Sequence, residues 1–350
     1  MDRRELRIKE DETLKTLKKV SDHLFIMDYR YPYSIDEMLE KGVKSMLGAA
    51  LSIQKLLKSP LPVVSPAAGR FGCSTFNAVN EEGHAIMGRN FDYKESDCFV
   101  VWTQPEGGYR SMGTGTLNFL IYGIKHMKLE KAKRPLRLLG TPYVTMDGIN
   151  EKGLALAILE IKAKPTKQST GKIPTIPPIA LRGVLDRCAN VEEAIEFFSR
   201  FDMQDLIGVN YHYFIADESG AAAIIEYVDN EMRVIRQKTP GEHLALTNYF
   251  LSEGGDNTKG RGFERYENIC NKLCECGEGM SEDEAMELLS QNTLLYRHPK
   301  FPHMVDTVWS NVFDLKSRTQ LTCAGMDYGK AFKFSLDRPG EYETVLRSEK

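Results

Sequence analysis

Three segments of the chain share one pattern, in which two β-prone apolar runs flank a short turn of the form Asn/Asp-Glu-x-Gly. The turns lie at residues 80–83, 150–153 and 217–220. Turns this short join antiparallel neighbours, whereas parallel strands need long crossover connections. The sequence therefore predicts antiparallel sheets rather than a parallel βαβ fold.

Helical patterns separate and follow these hairpins, at residues 177–188, 191–201, 262–276 and 281–291. Two of them begin with a capping box, Asn190 with Glu193 and Ser281 with Glu284. Later strands are expected at residues 307–315 and 331–336. The chain is thus expected to be an α+β protein in which helices cover two packed antiparallel sheets, a four-layer αββα sandwich.

Charge and composition argue against a nucleic-acid-binding protein, a secreted protein and a membrane-spanning protein. The chain has 350 residues and a net charge of −3, so nothing in its charge indicates a nucleic-acid partner. The charged N-terminal stretch lacks the apolar core of a signal peptide, and no apolar run approaches the roughly 18 residues that span a bilayer. The seven cysteines show no disulfide-framework spacing. We expect a cytoplasmic protein with no membrane span.

Residues 1–58 are expected to be mostly helical, and residues 59–72 have the Pro, Ser, Ala and Gly content of a linker. A helix is predicted to start at Ser34, with Glu37 as its capping-box partner, and to continue to about Leu57. Elsewhere, Gly113-Thr114-Gly115 is expected to be loop, residues 141–146 a strand, and the basic run 125–137 a solvated segment.

The first hairpin carries Cys73 in its first strand and Arg89, Asn90 and Asp92 in its second. A turn centred on Glu82-Gly83 places Cys73 opposite Asp92, and a four-residue loop places it opposite Asn90. Both registers put Cys73, Asn90 and Asp92 on one face and Arg89 on the other, because side chains alternate along a strand. Arg89 then reaches Cys73 only through a bulge or a strand end.

Cys73 follows a glycine, Gly72, at the end of the linker. A cysteine nucleophile reacts as the thiolate, and a free thiol has a pKa of about 8.5. An α-amino group, with a pKa of about 7.7–8.0, is a good base near neutral pH. Cleavage of the Gly72–Cys73 bond would give Cys73 such an amine. Asp92 could hold that amine, and Arg89 could favour the thiolate.

Cys-Ser-Thr-Phe at 73–76 with Gly-Arg-Asn-Phe-Asp-Tyr at 88–93 resembles the linear amide C–N hydrolases of the N-terminal-nucleophile superfamily. That family includes choloylglycine (bile salt) hydrolases, penicillin V acylases and, more distantly, acid ceramidase and N-acylethanolamine acid amidase. Its pattern has an Arg sixteen and an Asp nineteen residues after the nucleophile, the separations of Arg89 and Asp92 from Cys73.

The resemblance implies the αββα fold and a chain in two parts. Residues 1–72 would be a leader that is cut between Gly72 and Cys73 and stays bound, and residues 73–350 would be the catalytic domain. Gly72 is expected to adopt the strained backbone that self-cleavage needs. The resemblance also implies a bulge that turns Arg89 toward Cys73. Asn248, which ends an apolar strand-like run, matches the family's oxyanion-hole asparagine.

Two further positions follow from the resemblance. Glu160 stands where bile salt hydrolases carry Asn and penicillin V acylases carry Tyr, and here it is similar to the acid ceramidase and N-acylethanolamine acid amidase branch. This weakens a bile salt assignment. The family also has an Arg at the start of a later helix, which either Arg261 or Arg265 could supply, with Arg265 favoured.

The expected activity is hydrolysis of an N-acyl amide through a thioester, with no metal or organic cofactor and a small-molecule substrate. Cys270, Cys274 and Cys276 do not have the spacing of a zinc site. One alternative is acyl transfer to an amine, as in isopenicillin N acyltransferases. Others are bile salt hydrolase or penicillin V acylase activity, and a binding protein on an inactive scaffold. A homo-oligomer is compatible with the sequence.

Overall fold

The computed structural model describes residues 2–57, 72–94, 96–120, 136–205, 209–239, 241–276, 279–296 and 305–347. Its α-helices are α1 (Arg3–Lys15), α2 (Asp36–Lys41), α3 (Met46–Leu57), α4 (Pro177–Arg187), α5 (Val191–Ser199), α6 (Phe263–Glu275) and α7 (Glu282–Gln291). Among the described residues, no helix combines the length and the apolar character needed to cross a membrane.

The strands up to the middle of the chain are β1 (Lys18–Lys19), β2 (Leu24–Asp28), β3 (Gly72–Val79), β4 (Ala85–Tyr93), β5 (Cys98–Thr103), β6 (Ser111–Thr116), β7 (Thr145–Asn150), β8 (Ala155–Ile161), β9 (Ile173–Thr175) and β10 (Phe201–Met203). The later strands are β11 (Asn210–Ala216), β12 (Ala222–Val228), β13 (Glu231–Arg236), β14 (Ala245–Leu246), β15 (Leu295–Tyr296), β16 (Val305–Asp314), β17 (Thr319–Ala324), β18 (Lys330–Ser335) and β19 (Glu343–Leu346).

Two large sheets form the centre of the molecule. A nine-stranded sheet runs β1-β2-β5-β6-β7-β8-β11-β12-β13, and an eight-stranded sheet runs β14-β3-β4-β16-β17-β18-β19 with β15 beside β16. All pairings within them are antiparallel except β2 with β5. The expected antiparallel architecture is confirmed.

Helices cover the outer face of each sheet. α4 and α5 pack on the nine-stranded sheet, while α6 and α7 pack on the eight-stranded sheet. Between the sheets, a continuous apolar core includes Phe91 and Trp309 from one sheet and Leu159 and Phe214 from the other. The layers are therefore helix, sheet, sheet and helix, as the sequence predicts.

The three hairpin turns share one geometry. In each turn, the first residue (Asn80, Asn150 or Asp217) donates its main-chain N–H to the carbonyl of the residue four positions later. Its own main-chain carbonyl accepts the N–H of the glycine three positions later. The glycines, Gly83, Gly153 and Gly220, all have positive φ, which costs a glycine little. Each loop therefore has three residues. For the first hairpin the sequence suggested a loop of two or of four residues, so the observed strand pairing differs by one residue from each of the two expected registers.

The N-terminal segment is an integral part of the nine-stranded sheet. β2 lies between β1 and β5, and β2 pairs with β5 from Leu24 with Cys98 to Asp28 with Trp102. Three tyrosine hydroxyls of this segment donate to later parts of the chain or to its own helix: Tyr29 to the Leu139 carbonyl, Tyr33 to Asp186, and Tyr31 to the Leu57 carbonyl. The expectation of a mostly helical segment missed this strand.

The helix expected from Ser34 to Leu57 is two helices. α2 starts at Asp36 behind Ile35, and Ser34 accepts the Asp36 N–H from outside the helix instead of forming a capping box with Glu37. Gly42, at φ 79°, ends α2 before α3 begins. The apolar residues continue at helical spacing across this break because both helices pack on the same core, which is why the sequence suggested a single helix.

Two further local predictions are wrong. The Gly113-Thr114-Gly115 run is part of β6, because β7 and β5 approach it too closely for side chains. A Cβ at Gly113 would lie 2.7 Å from Thr145 Cγ2, and one at Gly115 would lie 2.6 Å from Phe99 Cζ. The strand expected at residues 141–146 is instead the end of a 3-10 helix, Leu136–Val144, followed by β7.

Candidate active site

The register of the first hairpin places Cys73 beside Arg89. Cys73 pairs with Phe91, Gly72 with Asp92, and Thr75 with Arg89. Cys73, Phe91 and Arg89 thus share the face toward the other sheet, whereas Asp92 lies on the helix-covered face. The expected sharing of a face by Cys73, Asn90 and Asp92 is wrong, and Arg89 reaches the Cys73 side without a bulge. The irregularity in this region is in β16, between Thr307 and Trp309.

Both main-chain polar groups of Cys73 are bound by side chains. Its N–H donates to Asn248 Oδ1 at 2.7 Å, and its carbonyl accepts from Arg265 Nη2 at 3.0 Å. Arg265 Nη2 also donates to Asn248 Oδ1 at 3.0 Å. The two donors fix which end of the Asn248 amide is oxygen. The other end, Nδ2, donates to the Glu160 carbonyl at 2.8 Å.

Asn248 reaches this position because of strand pairing. β14 pairs with β3 through Ala245 with Phe76 and Leu246 with Thr75. Continued by two residues, this register brings Asn248 opposite Cys73. The segment has left the sheet there, so the Asn248 side chain, rather than its backbone, accepts the Cys73 N–H.

Asp92 is bound to Arg265 and Thr307. Arg265 Nη1 lies 2.7 Å from Asp92 Oδ2, and the Thr307 hydroxyl donates to Asp92 Oδ1 at 2.7 Å. The side chain of Asp92 is fully buried. In the continuous chain, Asp92 therefore positions Arg265, and Asn248 holds the Cys73 nitrogen.

Gly72 is needed for close approach. A Cβ at this position would lie 2.7 Å from Asp92 Oδ2 and 2.7 Å from Leu294 Cδ2. Gly72 belongs to β3 and is not among the glycines with positive φ, so its backbone does not require glycine for conformational reasons. The expectation that Gly72 supplies a strained backbone is wrong for this state.

Arg89 is a fully buried cation. Nη2 donates to the Ile158 carbonyl at 2.7 Å, Nη1 donates to the Asn90 carbonyl at 3.0 Å, and Nε lies 3.5 Å from Asp147 Oδ2. Burial raises the pKa of the Asp147 carboxyl, although Arg89 and the hydrogen bonds from Trp309 and Asn311 oppose this. Asp147 lies in β7 of the other sheet, so this pair links the two sheets behind Cys73.

The thiol of Cys73 is buried, with 1% of the residue exposed. Burial raises its pKa, and the charge of Asp92 acts in the same direction. The charge and hydrogen bond of Arg89 act in the opposite direction but are smaller than the effect of burial. In the continuous chain the thiol is therefore held in its neutral form at neutral pH.

Glu160 is the penultimate residue of β8 and pairs with Tyr211 of β11. Glu160 is 7% exposed, which rules out an exposed strand-end residue. Burial raises the pKa of the Tyr211 phenol, and the charges of Glu160, Asp205 and Cys73 add to this. Tyr211 therefore lies near both Cys73 and Glu160.

The structure brings Cys73, Arg89, Asp92, Asn248 and Arg265 together around Gly72, with Glu160 joined through its backbone. Arg261, the alternative to Arg265, has its own N–H bonded to the Asn248 carbonyl at 3.0 Å. Residues 59–71 of the expected linker and residues 125–135 of the basic run expected at 125–137 lie outside the described residues. So do His298 and His303, which the sequence offered as a less favoured dyad partner of Cys73.

Three residues of this region were missed by sequence reasoning. Asp147, Thr307 and Tyr211 were not among the site residues expected from the sequence. Their contacts with Arg89, Asp92 and Glu160 depend on pairing between distant strands. A local pattern carries no signal for such pairing.

Residues 79–327 match the family described as acyl-coenzyme A:6-aminopenicillanic acid acyl-transferase. The chain belongs to this family. The match begins after Cys73, so it covers Arg89, Asp92, Glu160, Asn248 and Arg265 but not the cysteine.

The chain is also similar to a curated penicillin V acylase from Pectobacterium atrosepticum. The two are 25% identical over 321 residues, which cover 79% of this chain and 82% of the relative. With the family match, this confirms the expected linear amide C–N hydrolase family and an enzyme of that class.

Two solved structures share the fold. A conjugated bile acid hydrolase from Clostridium perfringens aligns with a TM-score of 0.56 at 15% identity, covering 79% of this chain and 97% of its own. A penicillin V acylase from Agrobacterium tumefaciens aligns with a TM-score of 0.53 at 18% identity, covering 76% of this chain and 87% of its own. They confirm the predicted αββα architecture.

Proposed function

We propose that this protein is a self-processing amidase that hydrolyses N-acyl amides with Cys73 as an N-terminal nucleophile. The observation that carries the proposal is that Asn248 and Arg265 bind the N–H and the carbonyl of Cys73 itself. Cleavage at Gly72–Cys73 would turn this N–H into an amine, and the oxygen of Asn248 that accepts it already lies at the position of that amine.

Maturation would start with attack of Cys73 Sγ on the Gly72 carbonyl carbon. The S–C bond forms, the Gly72–Cys73 C–N bond breaks, and the departing nitrogen takes the thiol proton. Water then hydrolyses the thioester, which leaves a Gly72 carboxylate, a free thiol and the Cys73 amine. The amine would remain at Asn248 Oδ1, where its nitrogen already lies.

In turnover, the Cys73 amine takes the thiol proton and the thiolate attacks the acyl carbonyl. The amine product leaves protonated, and water hydrolyses the thioester. Nδ2 of Asn248 carries a second hydrogen besides the one on the Glu160 carbonyl and serves as an oxyanion donor. The positive charge of Arg89 lowers the pKa of the Cys73 thiol and so favours the thiolate. Asp92 holds Arg265 in place.

The leader is proposed to stay bound after cleavage. β2 is an interior strand of the nine-stranded sheet, and the hydroxyl of Tyr33 donates to buried Asp186 at 2.9 Å. Loss of residues 1–72 would remove β2 and expose apolar side chains of the core that they cover. The two fragments should therefore co-elute in native size-exclusion chromatography and separate only in denaturant.

The substrate is proposed to be an N-acyl amino acid or an N-acylethanolamine. The support is Glu160, a buried acidic residue near Cys73 at a position where the resemblance favours the acid ceramidase and N-acylethanolamine acid amidase branch. A panel that also contains penicillin V and conjugated bile acids tests this. Hydrolysis of penicillin V or a bile acid conjugate in preference to both N-acyl classes would contradict the substrate assignment.

Activity should depend on Cys73 and not on buried cysteines in general. Cys73→Ala should abolish hydrolysis of every member of the panel, and Cys98→Ala is the matched control because Cys98 is also buried in a strand. Activity that survives in Cys73→Ala would contradict the proposal.

Acyl transfer is the second candidate, favoured by the description of the matched family. Here an amine, rather than water, resolves the thioester. Wild-type protein incubated with an acyl donor and a candidate amine acceptor distinguishes the two. An amide product that replaces the free acid indicates transfer, and free acid alone indicates hydrolysis.

A further inference from the structure

The carboxylate of Glu226 binds two consecutive backbone N–H groups of a loop. Glu226 lies in β12 and has no exposed surface. Its Oε1 accepts the N–H of Leu251 at 3.0 Å, and its Oε2 accepts the N–H of Ser252 at 2.8 Å. Nδ1 of His212, on the neighbouring strand β11, lies 3.2 Å from Oε1. A buried acidic group on the nine-stranded sheet thus fixes a segment that belongs to neither large sheet.

That segment follows Asn248 directly. Phe250 is held by Asn257, whose Oδ1 accepts the Phe250 N–H at 2.7 Å and whose Nδ2 donates to the Phe250 carbonyl at 2.8 Å. The Arg261 N–H donates to the Asn248 carbonyl at 3.0 Å. With Glu226 on the next two residues, the backbone on the C-terminal side of Asn248 is fixed almost residue by residue.

The charge of Glu226 strengthens this attachment. Burial acts to raise the pKa of the Glu226 carboxyl, but the contacts with His212, the Ser252 side chain and the Leu251 N–H outweigh it and lower the pKa overall. Glu226 therefore stays ionised, and hydrogen bonds to an ionised acceptor are roughly twice as strong as neutral ones. Among the described residues, this carboxylate interacts with His212 and Tyr249, and Arg233 lies opposite it on β13.

We propose that Glu226 is a positioning residue for the reaction: by holding Leu251 and Ser252, it keeps Asn248 at the Cys73 nitrogen. The proposal rests on the proposed function, in which Asn248 binds the Cys73 amine and supplies an oxyanion donor. Glu226 contacts neither Cys73 nor any residue assigned to the reaction. It acts through three residues of backbone.

Glu226→Gln tests the proposal with little change in size. The variant places an NH₂ group against one of the two loop N–H groups, so one attachment is lost and Asn248 shifts. Displacement of a catalytic group by about 1 Å costs on the order of 10²-fold in rate. We expect kcat to fall between about 10-fold and 100-fold, while KM changes little because the substitution is nearly isosteric and Glu226 contacts no residue assigned to the reaction.

Asp217→Asn is the matched control. Asp217 is also a buried carboxylate that accepts two backbone N–H groups, from Val191 at 2.8 Å and Ser219 at 2.9 Å, but it lies at the far end of the same hairpin. Its variant should leave kcat unchanged. An equal loss of kcat in Asp217→Asn, or an unchanged kcat in Glu226→Gln, would overturn the proposal.

Two measurements keep the inference separate from protein folding and from the proposed function. If Glu226→Gln does not fold, Glu226→Asp replaces it: this variant keeps the charge but is too short to reach both N–H groups, so its kcat should fall below that of wild type, and an unchanged kcat would overturn the proposal. If the wild type neither cleaves itself nor hydrolyses any amide, the proposed function fails. Amide hydrogen exchange then tests whether Glu226 holds the segment. Faster exchange at residues 248–252 in Glu226→Gln, but not in Asp217→Asn, would support the role of Glu226. Unchanged exchange in Glu226→Gln would contradict it.

Discussion

The main-chain N–H of Cys73 donates to Oδ1 of Asn248 at 2.7 Å. This contact joins the start of β3 to the segment that follows β14, two parts of the chain that are 175 residues apart. It is made by the peptide nitrogen that cleavage would turn into an amine. Under the proposed cleavage, Asn248 Oδ1 would be the acceptor of the new amine, and Arg265 would hold the neighbouring Cys73 carbonyl from the helix layer.

Gly72→Ala should slow self-cleavage strongly. The added methyl group would lie 2.7 Å from both Asp92 Oδ2 and Leu294 Cδ2, so β3 or Asp92 must shift. Intact mass over time after purification measures the fraction cut. Gly329→Ala is the control, because its nearest neighbour would be 3.7 Å away. Equal cleavage of both variants would show that close packing at Gly72 is unimportant.

Arg265→Lys and Arg261→Lys decide between the two arginine candidates. Arg265 contacts Asp92, the Cys73 carbonyl and Asn248 at once, and a lysine cannot reproduce a planar set of donors. We expect kcat/KM to fall about 10²-fold in Arg265→Lys, comparable to loss of one oxyanion-hole donor. Arg261→Lys should stay within about twofold, because Arg261 contacts Asn248 through its backbone N–H, which a lysine keeps. The reverse order would assign the role to Arg261.

Asp147→Asn should destabilise the fold by about 3 kcal/mol, because removal of one partner of a buried ion pair leaves the other charge uncompensated. That charge is Arg89, which is fully buried. Urea unfolding measures the change. Asp337→Asn breaks an exposed pair with Arg110 and should cost less than about 1 kcal/mol. A difference near zero between the two variants would contradict the assigned role of Asp147.

Because of the buried carboxyl of Asp205, the free energy of unfolding should fall as pH rises. Burial raises the pKa of its carboxyl to about 7, although the N–H groups of Thr166 and Tyr211 oppose this. An unfolded Asp titrates near 3.9, so between about pH 4 and 7 the folded state holds a proton that the unfolded chain has lost. The stabilisation from this group is complete below about pH 4 and is lost as pH rises through 7.

Asp205→Asn removes that dependence. Compared with wild type, the variant should gain stability between pH 5 and pH 8, by an amount on the order of 1 kcal/mol or more. Urea unfolding at the two pH values gives the comparison. A stability difference between variant and wild type that does not change with pH would show that Asp205 is already ionised in the fold at pH 5.

The parts of the fold that local chemistry specifies were predictable. The repeated turns, the N-cap of α5, the capping box of α7 and the apolar strands gave the layers and most elements. The capping box expected for α5 is incomplete, because Glu193 accepts the N–H of Ala189 instead of that of Asn190. The register of the first hairpin was not. Its loop closes through Asn80 and His84 and leaves three residues, whereas the sequence suggested two or four. One residue of difference moved Arg89 to the face of Cys73 and Asp92 away from it.

The sequence predicted which residues form the site but not how they contact one another. Motif spacing named Cys73, Arg89 and Asp92, and the family resemblance named Asn248, Glu160 and Arg265. Their mutual contacts depend on long-range pairing, such as Thr307 with Asp92 across β16 and β4. Asp147 and Glu226 were missed for the same reason, because each acts on a segment that is distant in the sequence.

The most direct test of the account is the intact mass and N-terminal sequence of purified wild type beside Cys73→Ala and Cys98→Ala. The account predicts that wild type and Cys98→Ala separate in denaturant into two fragments, one ending at Gly72 and one starting at Cys73. Cys73→Ala should remain one chain. Wild type that stays uncut at neutral and mildly acidic pH would contradict the account, because Cys73 would then never acquire a free amine.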